Sequence, residues 1–239
     1  MPAPRVICFD IGGVLVRICR SWAEACETAG VPVHSPEWLA GEQAIAARSA
    51  VMRAYQNGEL STEAYYDGML GALERRYTQD EIARIHDAWL LEEYSGVVDL
   101  VTELTRLSGV TTACLSNTNE RHWDVLAPVH GAPRFPSVMA LGQRFASHLM
   151  RASKPEAKIF LDFQQHIGAE PNEILFFDDL EPNIIAARGQ GWRAETIDPL
   201  GDTSQQIRAH LQAHGLPIAA SGAQEGGGSS ERSRRSGAR

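Results

Sequence analysis

Lysine is nearly absent from this chain. Of its 22 basic side chains only Lys154 and Lys158 are lysines; the remainder are arginines. Positive charge is short as well, 22 basic against 30 acidic groups, for a formal charge of −8. That balance excludes nucleic acid and anionic membrane as principal partners. Long apolar runs are missing, so no segment reads as a membrane span. The opening MPAPRVICFD has no apolar signal-peptide centre, which predicts a cytoplasmic location. Cysteine is scarce: Cys8, Cys19, Cys26 and Cys114 show no metal-ligand spacing and read as reduced core thiols. What remains is 239 residues with 44% hydrophobic content, ample for one domain with a large insertion or two modest domains.

Short β-rich apolar runs punctuate the chain. Arg5–Phe9 reads as a first strand, Val110–Leu115 as a second, Ser137–Leu141 as a weaker third, Ile174–Phe177 as a fourth and Trp192–Ile197 as a fifth. Helical patterns separate them: Val97–Leu107, Glu156–Ile167 closed by Gly168, and Pro182–Gln190 ended by Gly191. Strands alternating with helices imply a doubly wound parallel α/β sheet, Rossmann-like in architecture. Between the first and second strands the signals are helical from about Ser21 to Leu91. Helix starts fall at Ser35-Pro36-Glu37, Ser61-Thr62-Glu63 and Thr78-Gln79-Asp80-Glu81, the last with capping-box spacing, and Gly58 is a stop. Nothing in that block alternates with period two, so it reads as an all-helical insertion. The predicted division is residues 1–16 and 95–217 as the α/β core, 17–94 as a helical cap, and 218–239, rich in Gly, Ser and Arg, as a disordered tail. The tail arginines Arg232, Arg234 and Arg235 form too short a run to read as more than solvated charge.

Two acidic clusters end apolar strands: Asp10-Ile11-Gly12-Gly13 after RVICF, and Asp178-Asp179-Leu180-Glu181-Pro182-Asn183 after ILFF. Ligands of open α/β sheets bind beyond the carboxyl ends of such strands. Three buried carboxylates need a positive partner, and oxygen donors suit a hard cation such as Mg²⁺, which commonly brings phosphate with it. Asp10 fits a metal ligand or a nucleophile, since a carboxylate can attack phosphorus. It equally fits an acid capping its own turn. Ser116-Asn117-Thr118 fits a phosphate cradle of hydroxyl and backbone N–H groups, or a helix cap near Glu120. Lys154, in Ser153-Lys154-Pro155-Glu156 at a helix entrance, is placed to supply a compact cation. Lys158 reads as incidental. His210 and His214 have i,i+4 metal spacing but lack a third ligand. The five tryptophans read as packing; of these, Trp38 and Trp89 sit where a substrate could meet them.

The ordered set Asp10, Ser116, Lys154 and Asp178 resembles the haloacid dehalogenase superfamily, most of whose members are phosphatases. The resemblance covers roughly residues 5–198. Within it FDIGGVL, LSNTNERH, SKPEAKIF and FFDDLEPNIIAAR, with Asn57-Gly58-Glu59-Leu60-Ser61 in the cap, resemble the branch containing bacterial sugar-1-phosphate (glucose-1-phosphate) phosphatases. The resemblance implies Asp10 as nucleophile and Mg²⁺ ligand, with the Gly12 carbonyl and Asp178 as further ligands. It implies Asp179 supporting the metal through water, and Asn183 organising the ligands from the start of its helix. Ser116 and Asn117 would bind the phosphoryl group, Lys154 would balance charge, and residues 17–94 would close over a small phosphorylated metabolite. Asn119 and His122 would line the site, or His122 would lie on a helix surface.

Two departures stand out. Phosphatases of this superfamily usually carry a second Asp two residues after the nucleophile, which protonates the leaving oxygen; here that position is Gly12. Losing a general acid typically removes on the order of 10²–10⁴-fold in rate, so Gly12 fits easily departing leaving groups, a proton from water or the cap, or a weak enzyme. Arg151-Ala152-Ser153 replaces the Gly-containing loop frequent before the lysine, which leaves the loop shape open but not the Lys. Two rivals follow: a metal-free dehalogenase-type hydrolase in which Asp10 attacks carbon, and a non-catalytic module that binds a phosphorylated metabolite. Neither substrate identity nor oligomeric state has a local pattern to read.

Overall fold

A computed structural model describes residues 3–219. Its centre is a five-stranded sheet in which every neighbouring pair is parallel. In chain order the strands are β1 (Val6–Phe9), β2 (Val16–Ile18), β3 (Leu90–Glu93), β4 (Thr111–Ser116), β5 (Gln143–Ala146), β6 (Ile174–Asp178) and β7 (Arg193–Thr196). The sheet runs β5-β4-β1-β6-β7, so the strands carrying Asp10, Ser116 and Asp178 at their carboxyl ends are adjacent. Residues alternate across it. Ile7, Phe9, Leu175 and Phe177 feed one buried cluster, whereas Val6, Cys8, Ala113, Leu115 and Phe176 feed the cluster on the opposite face. This two-sided burial is why these strands read as unbroken apolar runs.

Helices α1 (Trp22–Ala29), α2 (Pro36–Leu39), α3 (Glu42–Gln56), α4 (Thr62–Ala72) and α5 (Gln79–Asp87) occupy the interval between β2 and β3. They enclose a separate core around Tyr55, Tyr65, Met69, Ile82 and Ile85. Their entrances follow the capping chemistry in the sequence. Ser61 Oγ accepts from the Ala64 N–H, and Thr78 and Glu81 form a reciprocal capping box. Ser35 precedes Pro36 as anticipated, but in a left-handed conformation and without a side-chain cap. Gly58 adopts φ +68°, and a Cβ there would strike the His148 carbonyl. A side chain at that position would push this block away from the segment that carries His148.

The block is not wholly helical at its ends. β2 and β3 pair antiparallel, with Val16 opposite Glu93 and Ile18 opposite Leu90, to form a two-stranded stem. Strands of three and four residues are too short for alternation to register. The remaining helices are α6 (Val97–Thr105), α7 (Glu120–Leu126), α8 (Pro136–Ala140), α9 (Ser147–Met150), α10 (Ala157–Ile167), α11 (Glu181–Gly189) and α12 (Thr203–Ala213).

The predicted third strand is a correction: residues 136–140 are α8, and β5 lies three residues further on. Pro136 at the first helical position pre-sets a helical turn. The Arg144 guanidinium then ties down the Met139 and Leu141 carbonyls. β5 itself is an edge strand with Gln143 and Arg144 exposed, so it lacks the apolar signature of its neighbours. All four cysteines are free and buried. No helix among the described residues is long and apolar enough to cross a membrane. Of the predicted tail, Ile218 is buried and Ala219 hydrogen-bonds Glu103 and Arg208; residues 220–239 lie outside the described residues.

Candidate active site

Lys154 is the centre of the site. Its side chain is fully buried, and Nζ lies 3.0 Å from Asp10 Oδ1 and 2.7 Å from Asp178 Oδ2. Asp10 follows β1, Asp178 ends the neighbouring β6, and Asp179 follows it; ligand oxygens of the three acids all lie within 4.8 Å of one another. Among the described residues this is the one group of three acids, histidines or cysteines close enough to share an ion. Asp10 Oδ1 also accepts the Ile11 N–H at 2.7 Å. Asp178 is held on both oxygens by Asn183 Nδ2 at 3.0 Å, and Oδ1 takes the Leu180 N–H at 2.8 Å. Asn183 lies in the first turn of α11, so one short turn both ends β6 and fixes its terminal carboxylate.

The electrostatics follow from burial. Burial pushes the Asp10 carboxyl up to about 7, against Lys154 and with help from Asp178 and Asp179. Asp179 is also pushed up by burial, opposed by its bond to Arg20. Burial works to lower the Lys154 ammonium, but Asp10 and Asp178 outweigh it and hold the group above its ordinary range. Three carboxylates thus face two cations, Lys154 and Arg20. The excess negative charge and all-oxygen donor set fit a small divalent cation, and Mg²⁺ suits such ligands. A phosphate dianion would enter only with that charge offset.

The loop that presents Lys154 is clamped to β4. Asn117 Nδ2 donates to the Lys154 carbonyl and Oδ1 accepts the Lys154 N–H, each at 2.8 Å. The Lys154–Pro155 peptide is cis. Ser116 is buried at the end of β4, next to β1. Gly12 and Gly13 form the tight turn after Asp10. Gly13 has φ +78°, and a Cβ there would collide with the Asp179 carboxylate, so only glycine fits. At Gly12 a Cβ would meet Ile18 Cδ1 at 3.0 Å.

The helix-surface reading of His122 is a correction, and Asn119 is a helix cap. Asn119 caps α7 by accepting the His122 N–H at 3.1 Å. His122 is buried, not on a helix surface; it stacks on His86 at 3.9 Å, and its Nε2 lies 2.8 Å from the His86 carbonyl. Burial, reinforced by His86, drives the His122 imidazole down to about 3, so it is neutral. His210 and His214 both turn to Glu195. Lys158 pairs with Asp162 on the exposed face of α10.

Three residues had no sequence signal. Arg20, in the stem, reaches Asp179 at 2.8 Å. Ser147 Oγ accepts the Thr118 N–H at 2.9 Å and lies 2.6 Å from the Gln56 carbonyl, joining the helical block to the β4 loop. Arg48 lines a cavity of about 880 Å³ that opens onto Asn117 and Lys154. Single arginines and serines in loops and helices form no motif, so their roles emerge only when the elements are assembled.

Residues 4–191 match the family model of haloacid dehalogenase-like hydrolases. The chain belongs to that family. A HAD family enzyme from Bacteroides thetaiotaomicron, solved with magnesium and inorganic phosphate, has a similar fold. Its TM-score is 0.67, with 22% identity over 86% of this chain and 100% of that one. A predicted HAD-like hydrolase from Porphyromonas gingivalis gives a TM-score of 0.69 at 23% identity, covering 88% of this chain and 98% of its own. Phosphoglycolate phosphatase 1 of Pseudomonas aeruginosa is 25% identical over 90% of this chain and 73% of its own length. Membership makes this chain a hydrolase on a Rossmann-like core.

Proposed function

We propose that this hydrolase is a Mg²⁺-dependent phosphatase acting on a small phosphorylated metabolite in the cytoplasm through an aspartyl-phosphate on Asp10. The observation that carries this reading is Lys154 bridging Asp10 and Asp178 beside a third buried acid. Residues 1–16 and 95–217 act as the catalytic core and 17–94 as the cap. Magnesium, when held by Asp10, Asp178 and the Gly12 carbonyl with Asp179 alongside, supplies the positive charge that lets the phosphate approach these carboxylates. Lys154 orients Asp10 and opposes the rise that burial and its acidic neighbours impose on the carboxyl. Ser116 binds the phosphoryl group through its hydroxyl. Asn117 contributes its backbone N–H, because its side-chain amide is committed to the Lys154 loop.

An Asp10 oxygen attacks phosphorus, and the bond to the leaving oxygen breaks with its electron pair. Gly12 offers no proton, so the leaving oxygen takes one from water. A second water then hydrolyses the aspartyl-phosphate, releasing inorganic phosphate and restoring the carboxylate. Sugar 1-phosphates, from the motif resemblance, and phosphoglycolate, from the name of the Pseudomonas relative, are two candidate substrates. The Mg²⁺- and phosphate-bound Bacteroides relative supports the cofactor assignment. A panel of phosphate monoesters assayed with Mg²⁺ and with EDTA tests the reading. Turnover lost in EDTA and in Asp10→Asn is expected. Turnover that is metal-independent, or halide release from chloropropionate without metal, would refute it.

A further inference from the structure

The cavity beside the charge cluster says what the phosphate is attached to. Its volume, about 880 Å³, is at the upper end of small-molecule sites, typically about 300–1,000 Å³. Asn117 and Lys154 stand at its edge, and its walls include Trp22, Leu39, Met52, Tyr65, Met69 and Trp89, all from the helical block or stem. Such walls suit a flat or branched apolar body.

One cation in this wall is unpaired. Arg48, on α3, donates Nη2 to the Leu39 carbonyl at 2.9 Å, and its guanidinium lies 5.9 Å from the Trp22 ring centre. Its Nη1 is buried and has no hydrogen-bond partner. No carboxylate among the described residues lies within ion-pair distance of it. The other lining guanidiniums differ: Arg20 is paired with Asp179, and Arg53 is solvent-exposed. A buried donor with charge and no acceptor is costly to leave unmet, so it marks where a ligand supplies the acceptor. Gly12 adds the third constraint. Without a side-chain acid beside Asp10, a leaving oxygen that carries negative charge readily is favoured.

We infer that the preferred substrate is an aryl phosphate bearing a carboxylate on the far side of its ring, the ring held among Trp22, Trp89 and Tyr65 and the carboxylate on Arg48. This rests on the phosphatase reading and names its substrate class. The phosphorus–phenolic oxygen bond breaks as the Asp10–phosphorus bond forms. The phenolate departs with the electron pair and is protonated by water.

The test compares kcat/KM for 4-carboxyphenyl phosphate, 4-methylphenyl phosphate and glucose 1-phosphate on the Mg²⁺-loaded full chain. Wild type, Arg48→Met and Arg48→Lys are each measured. A charge-assisted hydrogen bond in such a site favours the carboxylate ester by about 10–100-fold over the methyl ester in wild type. That ratio should collapse toward one in Arg48→Met and be partly kept in Arg48→Lys, with the sugar phosphate a poorer substrate than the carboxylate ester. Binding of the product 4-hydroxybenzoate, followed by tryptophan fluorescence, gives a readout free of turnover. It should weaken by a similar factor in Arg48→Met, and it stands even if that variant is less stable. Equal rates for the two aryl esters, or an Arg48→Met protein that keeps the ratio, overturns the inference. So does glucose 1-phosphate as the best substrate, although the phosphatase reading would then survive. Absence of Mg²⁺-dependent hydrolysis of every ester removes both.

Discussion

Replacing Lys154 with methionine isolates the electrostatic core of the site. The side chain is fully buried, as is that of Asp178, so the weak values measured for exposed ion pairs do not apply. Removing one partner of a buried pair strands the other charge, at a cost of about 3–5 kcal/mol. Methionine fills much the same volume as the lysine stem, so little of that loss is packing. At about 2–4 °C per kcal/mol for a domain of this size, the melting temperature in EDTA should fall by roughly 6–20 °C. Two controls separate charge from shape. Magnesium should recover part of the loss, because a divalent ion offsets the same carboxylates. Lys154→Met/Asp178→Asn should be less destabilised than the single variant, because one of the two stranded carboxylates is gone. Urea unfolding followed by tryptophan fluorescence, with and without Mg²⁺, reads all three proteins. A loss below about 1 kcal/mol, or one indifferent to both Mg²⁺ and the second substitution, would refute the reasoning.

Other outcomes follow from the same geometry. Asn117→Ala removes both hydrogen bonds that hold the Lys154 loop to β4. Urea denaturation should show a loss of about 1–3 kcal/mol, and steady-state kinetics a fall mainly in kcat. Gly12→Asp, which needs only a small shift of Ile18, should raise turnover of alkyl phosphates relative to aryl phosphates at least about tenfold by supplying a general acid; an unchanged ratio would count against Gly12 as the cause of the deficit. The His122 imidazole is held down to about 3 by burial, and its ordinary value is near 6.5. Its depressed value means the unfolded chain takes up the proton first. Its stabilising contribution is therefore complete above about pH 6.5 and is lost as pH falls toward 3. That loss approaches about 4–5 kcal/mol and should be absent from the pH–stability curve of His122→Gln.

The parts of the site that end strands were legible, and for a physical reason. β1, β4 and β6 are buried on both faces, so each is a bare apolar run, and a polar residue directly after it is conspicuous. Asp10 and Asp178, which the fold brings together, stand out that way, as does Ser116 at the end of the neighbouring β4, and the alternation of these runs with helices points to the parallel sheet. β5 failed because an edge strand keeps its polar residues, and the apolar SVMAL beside it forms a proline-led helix instead. The β2–β3 stem failed because strands so short have no period. Arg20 and Ser147 act across the join between the helical block and the sheet, and Arg48 lines the cavity that opens there. Contacts between segments dozens of residues apart leave no trace in local spacing. His122 was expected at the site or on a surface because neighbouring motif residues suggested a role; the stack on His86 is a tertiary contact between α5 and α7.

The most direct test is chemical trapping of Asp10. Mg²⁺-loaded protein is mixed with a hydrolysable phosphate monoester, quenched in acid and reduced with borohydride, which converts an acyl phosphate to the alcohol. Homoserine at position 10, found by peptide mass spectrometry and absent in EDTA, is the expected result. Steady turnover with an unmodified Asp10 peptide, or a modified residue elsewhere, would contradict nucleophilic attack by this carboxylate.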